Sequence, residues 1–437
     1  MSGDIRYQYC DGDLLIERNT YFYSEYHGAQ FLLAWQSQRK AAIQSIGPDR
    51  AGDYNAEPTR TGDLLNCIRE SISNRNEEQG GFDNLDKLVQ RFEVTKRVHE
   101  AYTEKWRARD VSRFRNLGLY VLLAEVLVLA YRQTERLVYL NALLKIADTL
   151  CSVGPHLDEG LLARFQGVLD AERAFVDALS ARSSRRTHAG ITPVEPLQVR
   201  VRQREGIALL ACDSARSRAY IQALLHIGIV PERVILMGED RATTEGKGQS
   251  DWNGLLLPDL GTPVAVTCQT HGVPLERVAV ASVNTTEVKA ALRDIAAPVV
   301  VYSGFGGQIV SEDVLSSGPR FLHMHSGWLP MYRGSTTLYY ALLNGDAPGV
   351  SAIYLDPGID TGPIIERRHY PVPSAGMDLD LTYDTAIRAD LMCRVLLSET
   401  DPASPCRGLT QDAVEGCTYY VIHPVLKHVA LLSLEQN

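Results

Sequence analysis

The sequence predicts a multidomain α + α/β protein. An all-helical N-terminal domain precedes a Rossmann-like domain with a parallel sheet and a small C-terminal α/β segment. The length of 437 residues exceeds what one ordinary hydrophobic core organises. Apolar residues recur at helical spacing up to about residue 179, whereas short apolar strands alternate with helices from residue 206 onward. We therefore expect domains at residues 1–180, 206–371 and 372–437, with a linker at 181–205.

The N-terminal domain is predicted from apolar stripes that return every three or four residues. The clearest stripes lie between residues 85 and 106, 116 and 150, and 161 and 179. The second stripe is either one long helix or two helices joined near Arg132. Its most apolar part, Leu117 to Tyr131, contains Glu125 and is too short for a good membrane span, so we expect a buried helix.

A more polar face of this helical stretch carries polar and charged residues: Arg132, Glu135, Arg136, Tyr139 and Lys145. Such residues can form side-chain pairs at i,i+3 and i,i+4 spacing on a helix surface. We interpret it as a solvated face, and a binding surface for a substrate or partner is the alternative. The residues that follow at 181–195 are rich in Ser, Arg, Gly and Pro, which is typical of an interdomain linker.

The α/β domain begins with a continuous apolar strand, Ile207 to Cys212, and a helix capped by Asp213 or Ser214. Further strands are predicted at 234–237, 298–302 and 321–325, with a helix at 285–295. Residues 264–266 are another strand or the start of a loop. Strands that alternate with helices favour a parallel sheet covered on both faces. Sites in such sheets open at the carboxyl ends of strands, and the glycine-rich residues 302–309 follow such an end.

Two histidines and an aspartate form the candidate catalytic set. His323 and His325 lie two residues apart in a strand, so their side chains project from the same face. A second apolar strand, at 350–355, ends in an acidic loop that carries Asp360. If these strands are neighbours in one sheet, Asp360 can reach an imidazole, which is a standard arrangement for general acid–base chemistry.

This stretch resembles the folate-dependent formyltransferases, a family that includes methionyl-tRNA, glycinamide ribonucleotide and sugar-nucleotide formyltransferases. The matching motifs are His325, Trp328-Leu329-Pro330, Arg333-Gly334 and Gly358-Ile359-Asp360-Thr361-Gly362. The resemblance covers about residues 206–371. It departs from the family pattern at His323, where the family has a catalytic asparagine, and the serine of the loop is shifted to Ser326.

The resemblance implies formyl transfer from 10-formyltetrahydrofolate, as co-substrate, to a primary amine. It implies that His325 is the acid–base, that Asp360 is its partner, and that His323 donates to the oxyanion in place of asparagine. The implied pterin pocket is formed by Phe305, Gly306, Gln308, Ile309, Asp356, Gly358 and Ile359. The implied contacts to the acceptor substrate are Ser326, Tyr332 and Arg333.

The same residues are open to other interpretations. A His-x-His strand with an aspartate suits zinc or iron, but the family position explains these residues without a metal, so no metal is predicted. Altered chemistry at His323 would give hydrolysis of the formyl donor or another one-carbon or acyl reaction. A binding or scaffold protein with a vestigial folate site is the third interpretation.

Charge and composition narrow the expected partners. A net charge of −9 and a pI of about 5.7 disfavour binding to a phosphate backbone. We therefore expect a small amine substrate (an amino sugar, an amino acid or a biosynthetic intermediate), with neither nucleic acid nor membrane as partner. The polar first residues and scattered cysteines predict a cytoplasmic protein, with packed thiols at Cys151 and Cys268. A homodimer fits the base rate for such enzymes.

Overall fold

The computed structural model describes most of the chain. The described residues are 32, 35–37, 39, 60–74, 79–102, 117–152, 157–185, 193–201, 203–239, 248–398, 408–411 and 416–434. They fall into two compact units, one formed by residues 1–186 and 420–433, and the other by residues 187–419 and 434–437. Residues 186–192 of the predicted linker lie outside the described part.

The first unit is helical, as predicted. Its helices in this part of the chain are α1 (Arg60–Ser73), α2 (Gln79–Tyr102), α3 (Leu117–Thr134), α4 (Leu137–Ser152) and α5 (Glu159–Ser183). The apolar stretch 116–150 is two helices, because the backbone at Glu135 adopts a left-handed conformation with φ of 52° and ends α3. None of the described helices is long and apolar enough to cross a membrane.

The predicted solvated face is only partly solvated. Arg132 and Glu135 are exposed, and Arg136 forms a part-exposed ion pair with Asp86. Lys145, however, is 6% exposed, and its ammonium lies 2.7 Å and 2.8 Å from the two carboxylate oxygens of buried Glu93. The expectation was therefore wrong for Lys145, because a charge paired across helices can be buried where a lone one cannot. It was also wrong for Tyr139, which is 0% exposed.

A buried ionic cluster lies at the centre of this unit. The Arg39 guanidinium is 2.7 Å from the Asp148 carboxylate and 3.0 Å from that of Glu172. His423 Nε2 lies 2.8 Å from Asp148. Burial raises the pKa of Glu172 to about 8, and the charge of Asp148 adds to the rise although Arg39 opposes it.

The second unit is built on a seven-stranded sheet. Its strands are β1 (Gln203–Cys212), β2 (Ile229–Met237), β5 (Leu275–Val278), β6 (Val299–Ser303), β7 (Arg320–His325), β9 (Gly349–Tyr354) and β10 (Ile364–His369). Two small pairs lie outside it: β3 (Ser250–Trp252) with β4 (Leu255–Leu257), and β8 (Tyr332–Gly334) with β11 (Cys417–Tyr419). The helices between the strands are α6 (Ala215–His226), α7 (Val264–His271), α8 (Thr286–Arg293), α9 (Glu312–Leu315), α10 (Thr337–Asn344) and α11 (Asp384–Ser398).

The sheet has the order β10-β9-β7-β6-β1-β2-β5 and is parallel from β7 to β5. The prediction of a parallel sheet holds for these five strands and fails for two, because β9 is antiparallel to β7 and β10 is antiparallel to β9. The connection between β9 and β10 is a nine-residue loop, which suits a hairpin rather than the long crossover that a parallel pair requires.

Local caps define three of the helix ends in this unit. Ser214 Oγ accepts the Ser217 N–H at the start of α6, Thr285 Oγ1 accepts the Val288 N–H at the start of α8, and Gly345 ends α10 with φ of 83°. Residues 264–266, expected as a strand or loop, instead begin α7 after Pro263. There, packing against α6 overrides the β-propensity of valine.

The C-terminal segment, predicted as a small subdomain at 372–437, consists mainly of helices in its described residues. Helix α11 packs on the sheet, and a π-helical turn (Leu379–Tyr383) packs against α11 and α6. Helix α12 (Pro424–Leu432) belongs to the helical unit and packs against α5. Asn141 of α4 holds the entry to α12, because its amide donates to the Val421 carbonyl at 3.3 Å and accepts the His423 N–H at 2.7 Å.

Candidate active site

The two histidines of β7 and the aspartate of the β9–β10 loop meet in one cluster. β7 pairs with β9, and the loop after β9 returns Asp360 to the histidines. His325 Nδ1 lies 3.3 Å from Asp360 Oδ2. One side-chain donor atom from each of His323, His325 and Asp360 lies within 4.8 Å of the others. The prediction that Asp360 reaches an imidazole is confirmed.

The orientation of His325 is fixed by a backbone carbonyl. Its Nε2 lies 2.6 Å from the Tyr332 oxygen, and a carbonyl oxygen can only accept, so Nε2 carries the proton. A neutral His325 therefore directs the lone pair of Nδ1 towards Asp360, whereas a protonated ring donates to both oxygens. The residue is 3% exposed, so both ring nitrogens face protein groups.

Asp360 is held in the ionised form. Its Oδ2 accepts the Gly334 N–H at 2.9 Å. Burial alone would raise the pKa of Asp360, but His325, His323 and the Gly334 N–H together bring it below the ordinary value. The backbone of this residue has φ of 54°, and Gln411 secures the loop by donating to the carbonyls of Asp360 and Gly362 at 2.8 Å and 2.7 Å.

The imidazole of His323 is less constrained by hydrogen bonds than that of His325. Its Nδ1 is buried and has no hydrogen-bond partner among the described residues, and its ring centroid lies 6.1 Å from that of Tyr302. Burial and the nearby Arg216 lower the pKa of His323 to about 3. His323 is therefore a neutral ring, which can donate one hydrogen bond and accept another.

Two arginines that the sequence analysis missed flank this cluster. Arg216 at the start of α6 donates to Ser303 Oγ at 3.1 Å and to the Gly304 carbonyl at 2.7 Å, at the carboxyl end of β6. Arg388 of α11 donates to the Met324 carbonyl at 2.8 Å and pairs with Asp384. Arg388 shares the buried face of its helix with apolar residues, and a charge within an apolar stripe is the signal that could have identified it.

Comparison with known proteins identifies the fold around this cluster. The family model described as formyl transferase matches residues 249–386, a range that contains His323, His325 and Asp360. This part of the chain is a formyltransferase domain. It is 38% identical over 112 residues to a methionyl-tRNA formyltransferase of Rhodopirellula baltica, a match that covers 25% of this chain and 32% of the relative.

The chain is also similar to two further proteins. A methionyl-tRNA formyltransferase of a Sulfurovum species is 30% identical over 158 residues, which cover 36% of this chain and 47% of the relative. The glycinamide ribonucleotide transformylase 1 of Symbiobacterium toebii aligns with 48% of this chain and 95% of its own, at 20% identity and a TM-score of 0.33. The chain spans less than half the length of the two methionyl-tRNA formyltransferases.

The formyltransferase domain presents the predicted pterin loop mainly through its backbone. Gly306 is exposed, and a side chain added there would meet nothing within 4 Å, while Ile309 is 51% exposed. Phe305 packs partly into the core. The side chain of Gln308 is already used, because it accepts the Val283 N–H at 3.0 Å and donates to the Ala281 carbonyl at 2.8 Å.

The second predicted wall of the pocket is a self-contained loop. Asp356 accepts the Gly358 N–H at 3.1 Å and the Thr361 hydroxyl at 2.7 Å, which stabilises the turn. Ile359 is partly exposed in this turn. Gly362 has no room for a side chain, because a Cβ there would meet the Tyr354 carbonyl.

The predicted substrate contacts of the formyltransferase domain are buried and mostly bonded within the protein. Tyr332 is 6% exposed, and its hydroxyl donates to Asp346 and accepts from Asn344. Arg333 is 6% exposed, with its Nε 3.3 Å from Gln411 Oε1. Only the hydroxyl of buried Ser326 lacks a partner among the described residues. The side chains of Tyr332 and Arg333 are therefore already hydrogen-bonded within the protein.

Proposed function

We propose that this protein is an N-formyltransferase that moves a formyl group from 10-formyltetrahydrofolate to a primary amine of a small substrate. The observation that carries the proposal is the cluster of one ionised carboxylate and two imidazoles inside a formyltransferase domain. Such a cluster can accept a proton, return it, and donate a hydrogen bond to a developing negative charge.

The reaction requires three contributions from the site. The amine nitrogen attacks the formyl carbon and forms a tetrahedral intermediate, whose oxyanion needs a donor. The new ammonium then loses a proton, the bond from carbon to the folate nitrogen breaks, and that nitrogen gains a proton.

We assign the oxyanion contact to His323, because its ring is neutral and, unlike His325, the residue is only partly buried. Asp360 and His325 carry the proton together, across the 3.3 Å that separates Oδ2 from Nδ1. His325 is buried, so the proton passes between this pair and the substrate through Asp360, whose side chain is 13% exposed. Arg216 and Arg388 add positive charge close to His323, which favours an anionic intermediate.

The donor pocket is assigned to the two loops beside this cluster. Exposed Gly306 and Ile309 on one side, and Gly358 and Ile359 on the other, present backbone groups and apolar surface to a flat ring such as a pterin. Glycine permits the close approach of a ring to the main chain.

The acceptor is assigned to small amines such as an amino sugar, an amino acid or a biosynthetic intermediate. The relatives named above are methionyl-tRNA formyltransferases, and this chain spans less than half of their length. The net charge of −9 opposes contact with a polyanion. Methionyl-tRNA is therefore the competing acceptor that the experiment must include.

Calorimetric titration with tetrahydrofolate and with a stable 10-formyl analogue tests the donor site. We expect saturable binding that is lost in Gly306→Trp, whose side chain would fill the predicted pocket. Gly167→Trp is the matched control, because Gly167 is an exposed helical glycine with nothing within 4 Å of an added Cβ.

Mass spectrometry of products then tests the acceptor. Incubation of the protein with 10-formyltetrahydrofolate and a panel of amino sugars, amino acids and methionyl-tRNA should add one formyl group to a small amine. Formylation of methionyl-tRNA alone would overturn the substrate class, and an absence of folate binding would overturn the activity.

A further inference from the structure

We propose that His323, His325 and Asp360 form a binding site for a divalent transition metal ion, with Zn²⁺ as the best match in chemistry. Two imidazoles and one carboxylate are ligands that zinc prefers, and three protein ligands leave a fourth position for water or substrate. Among the described residues, His323, His325 and Asp360 form a group of three potential metal ligands whose donor atoms lie close enough together to hold an ion.

The spacing of the two best-defined donor atoms fits a common metal. His325 Nδ1 and Asp360 Oδ2 are 3.3 Å apart. Two ligands on a tetrahedral zinc, each bonded at about 2.0–2.1 Å, lie about 3.3 Å from each other. The pair is therefore spaced for an ion that both atoms contact.

The tautomer of His325 is also the one that a metal needs. Because Nε2 donates its proton to the Tyr332 carbonyl at 2.6 Å, the lone pair of the neutral ring is on Nδ1, on the side of Asp360. A backbone carbonyl on the remote nitrogen is a usual way in which proteins orient a metal-binding histidine. Gly334 similarly orients Asp360 through its N–H at 2.9 Å.

His323 supplies the third donor. It lies two residues before His325 on the same strand face, and its buried Nδ1 has no partner among the described groups. A ring nitrogen of His323 lies within 4.8 Å of the other two donor atoms, which places a third candidate ligand beside the pair. An asparagine, which the resemblance places at this position in the family, offers an amide oxygen that zinc seldom binds.

Metal binding and formyl transfer would compete for the same atoms. An ion bonded to His325 Nδ1 and Asp360 Oδ2 would occupy the lone pairs of both atoms. In the proposed mechanism, these two atoms exchange a proton. We therefore expect Zn²⁺ to inhibit formyl transfer. This inhibition rests on the proposed function, whereas the binding of the metal does not.

Titration of the metal-free full-length protein with Co²⁺ tests the site without reference to activity. We expect one equivalent to give the intense visible bands of tetrahedral Co²⁺, and Zn²⁺ to abolish them by displacement. His323→Asn should weaken Co²⁺ binding at least roughly tenfold, and His226→Asn, at an exposed histidine at the end of α6, should not.

Failure of Co²⁺ to bind, or bands of the same intensity and affinity in His323→Asn, would overturn the proposal. His323→Gln provides a second variant in case His323→Asn does not fold, as judged by circular dichroism. If formyl transfer is measurable, Zn²⁺ should inhibit the wild type at lower concentrations than it inhibits His323→Asn. If transfer is absent, the Co²⁺ titration still decides whether the metal site exists.

Discussion

Asp360 of the formyltransferase domain and Glu172 of the helical unit are both buried carboxylates, yet their charges differ. The pKa of Asp360 lies below its ordinary value, whereas that of Glu172 rises to about 8. Burial raises the pKa of both, so the lowered pKa of Asp360 requires groups that oppose the effect of burial.

The difference comes from the number of donors that each carboxylate receives. Asp360 faces His325 and His323 and accepts the Gly334 N–H, with Arg388 nearby. Glu172 faces Arg39, which also contacts Asp148 at 2.7 Å, so one guanidinium serves two carboxylates. A buried acid thus stays ionised where cationic and N–H groups outnumber it, and is protonated where they do not.

The largest expected effect is on catalysis. Asp360→Asn keeps the shape of the side chain and an oxygen for the Gly334 N–H, but removes the charge that shares a proton with His325. We expect formyl transfer to fall by roughly a hundredfold to ten-thousandfold, with circular dichroism unchanged. Asp313→Asn, at a surface residue paired with Lys289, is the control. A loss of less than tenfold in Asp360→Asn would show that the carboxylate is not part of the proton path.

The next effect is on the stability of the helical unit. Arg39→Met leaves Asp148 and Glu172 without their shared cation and should lower the free energy of unfolding by about 3–5 kcal/mol. Arg164→Met removes an exposed ion pair with Glu125 and should cost no more than about 1 kcal/mol. Urea denaturation followed by circular dichroism measures both, and equal losses in the two variants would contradict the assignment of Arg39 as a buried partner.

The smallest effect, when expressed per pH unit, is on the pH dependence of stability. Glu172 keeps its proton up to about pH 8 in the folded chain, whereas the unfolded chain releases it near the ordinary pKa of 4.5. The folded state therefore binds more protons between these values, and stability falls as pH rises from about 4.5 to about 8, by at most about 1.4 kcal/mol per pH unit.

Glu172→Gln should remove this fall. The difference in free energy of unfolding between wild type and variant, measured at several pH values, isolates the contribution of Glu172 from other groups. Glu125→Gln, at a carboxylate of an ion pair with exposed Arg164, provides the comparison. Parallel stability curves for wild type and Glu172→Gln would show that Glu172 is ionised in the fold.

The sequence by itself determined the local features of this protein. Apolar periodicity separated the helical region from the α/β region, and side-chain caps at Ser214 and Thr285 located the helix starts. The two-residue spacing of His323 and His325 put both rings on one face, and the acidic loop supplied Asp360. These features depend on backbone geometry and on residues that are close together along the chain. They can therefore be identified from the sequence.

Only the tertiary structure decided which residues that are distant in sequence contact each other. Gln411 holds a loop 51 residues earlier in the chain, Arg388 reaches the Met324 carbonyl, and Lys145 is buried because Glu93 meets it. The antiparallel direction of β9 and the tautomer of His325 are likewise set by partners distant in sequence. The physical reason is that the charge, protonation and burial of a side chain depend on the groups around it in space, and those groups are assembled only when the chain folds.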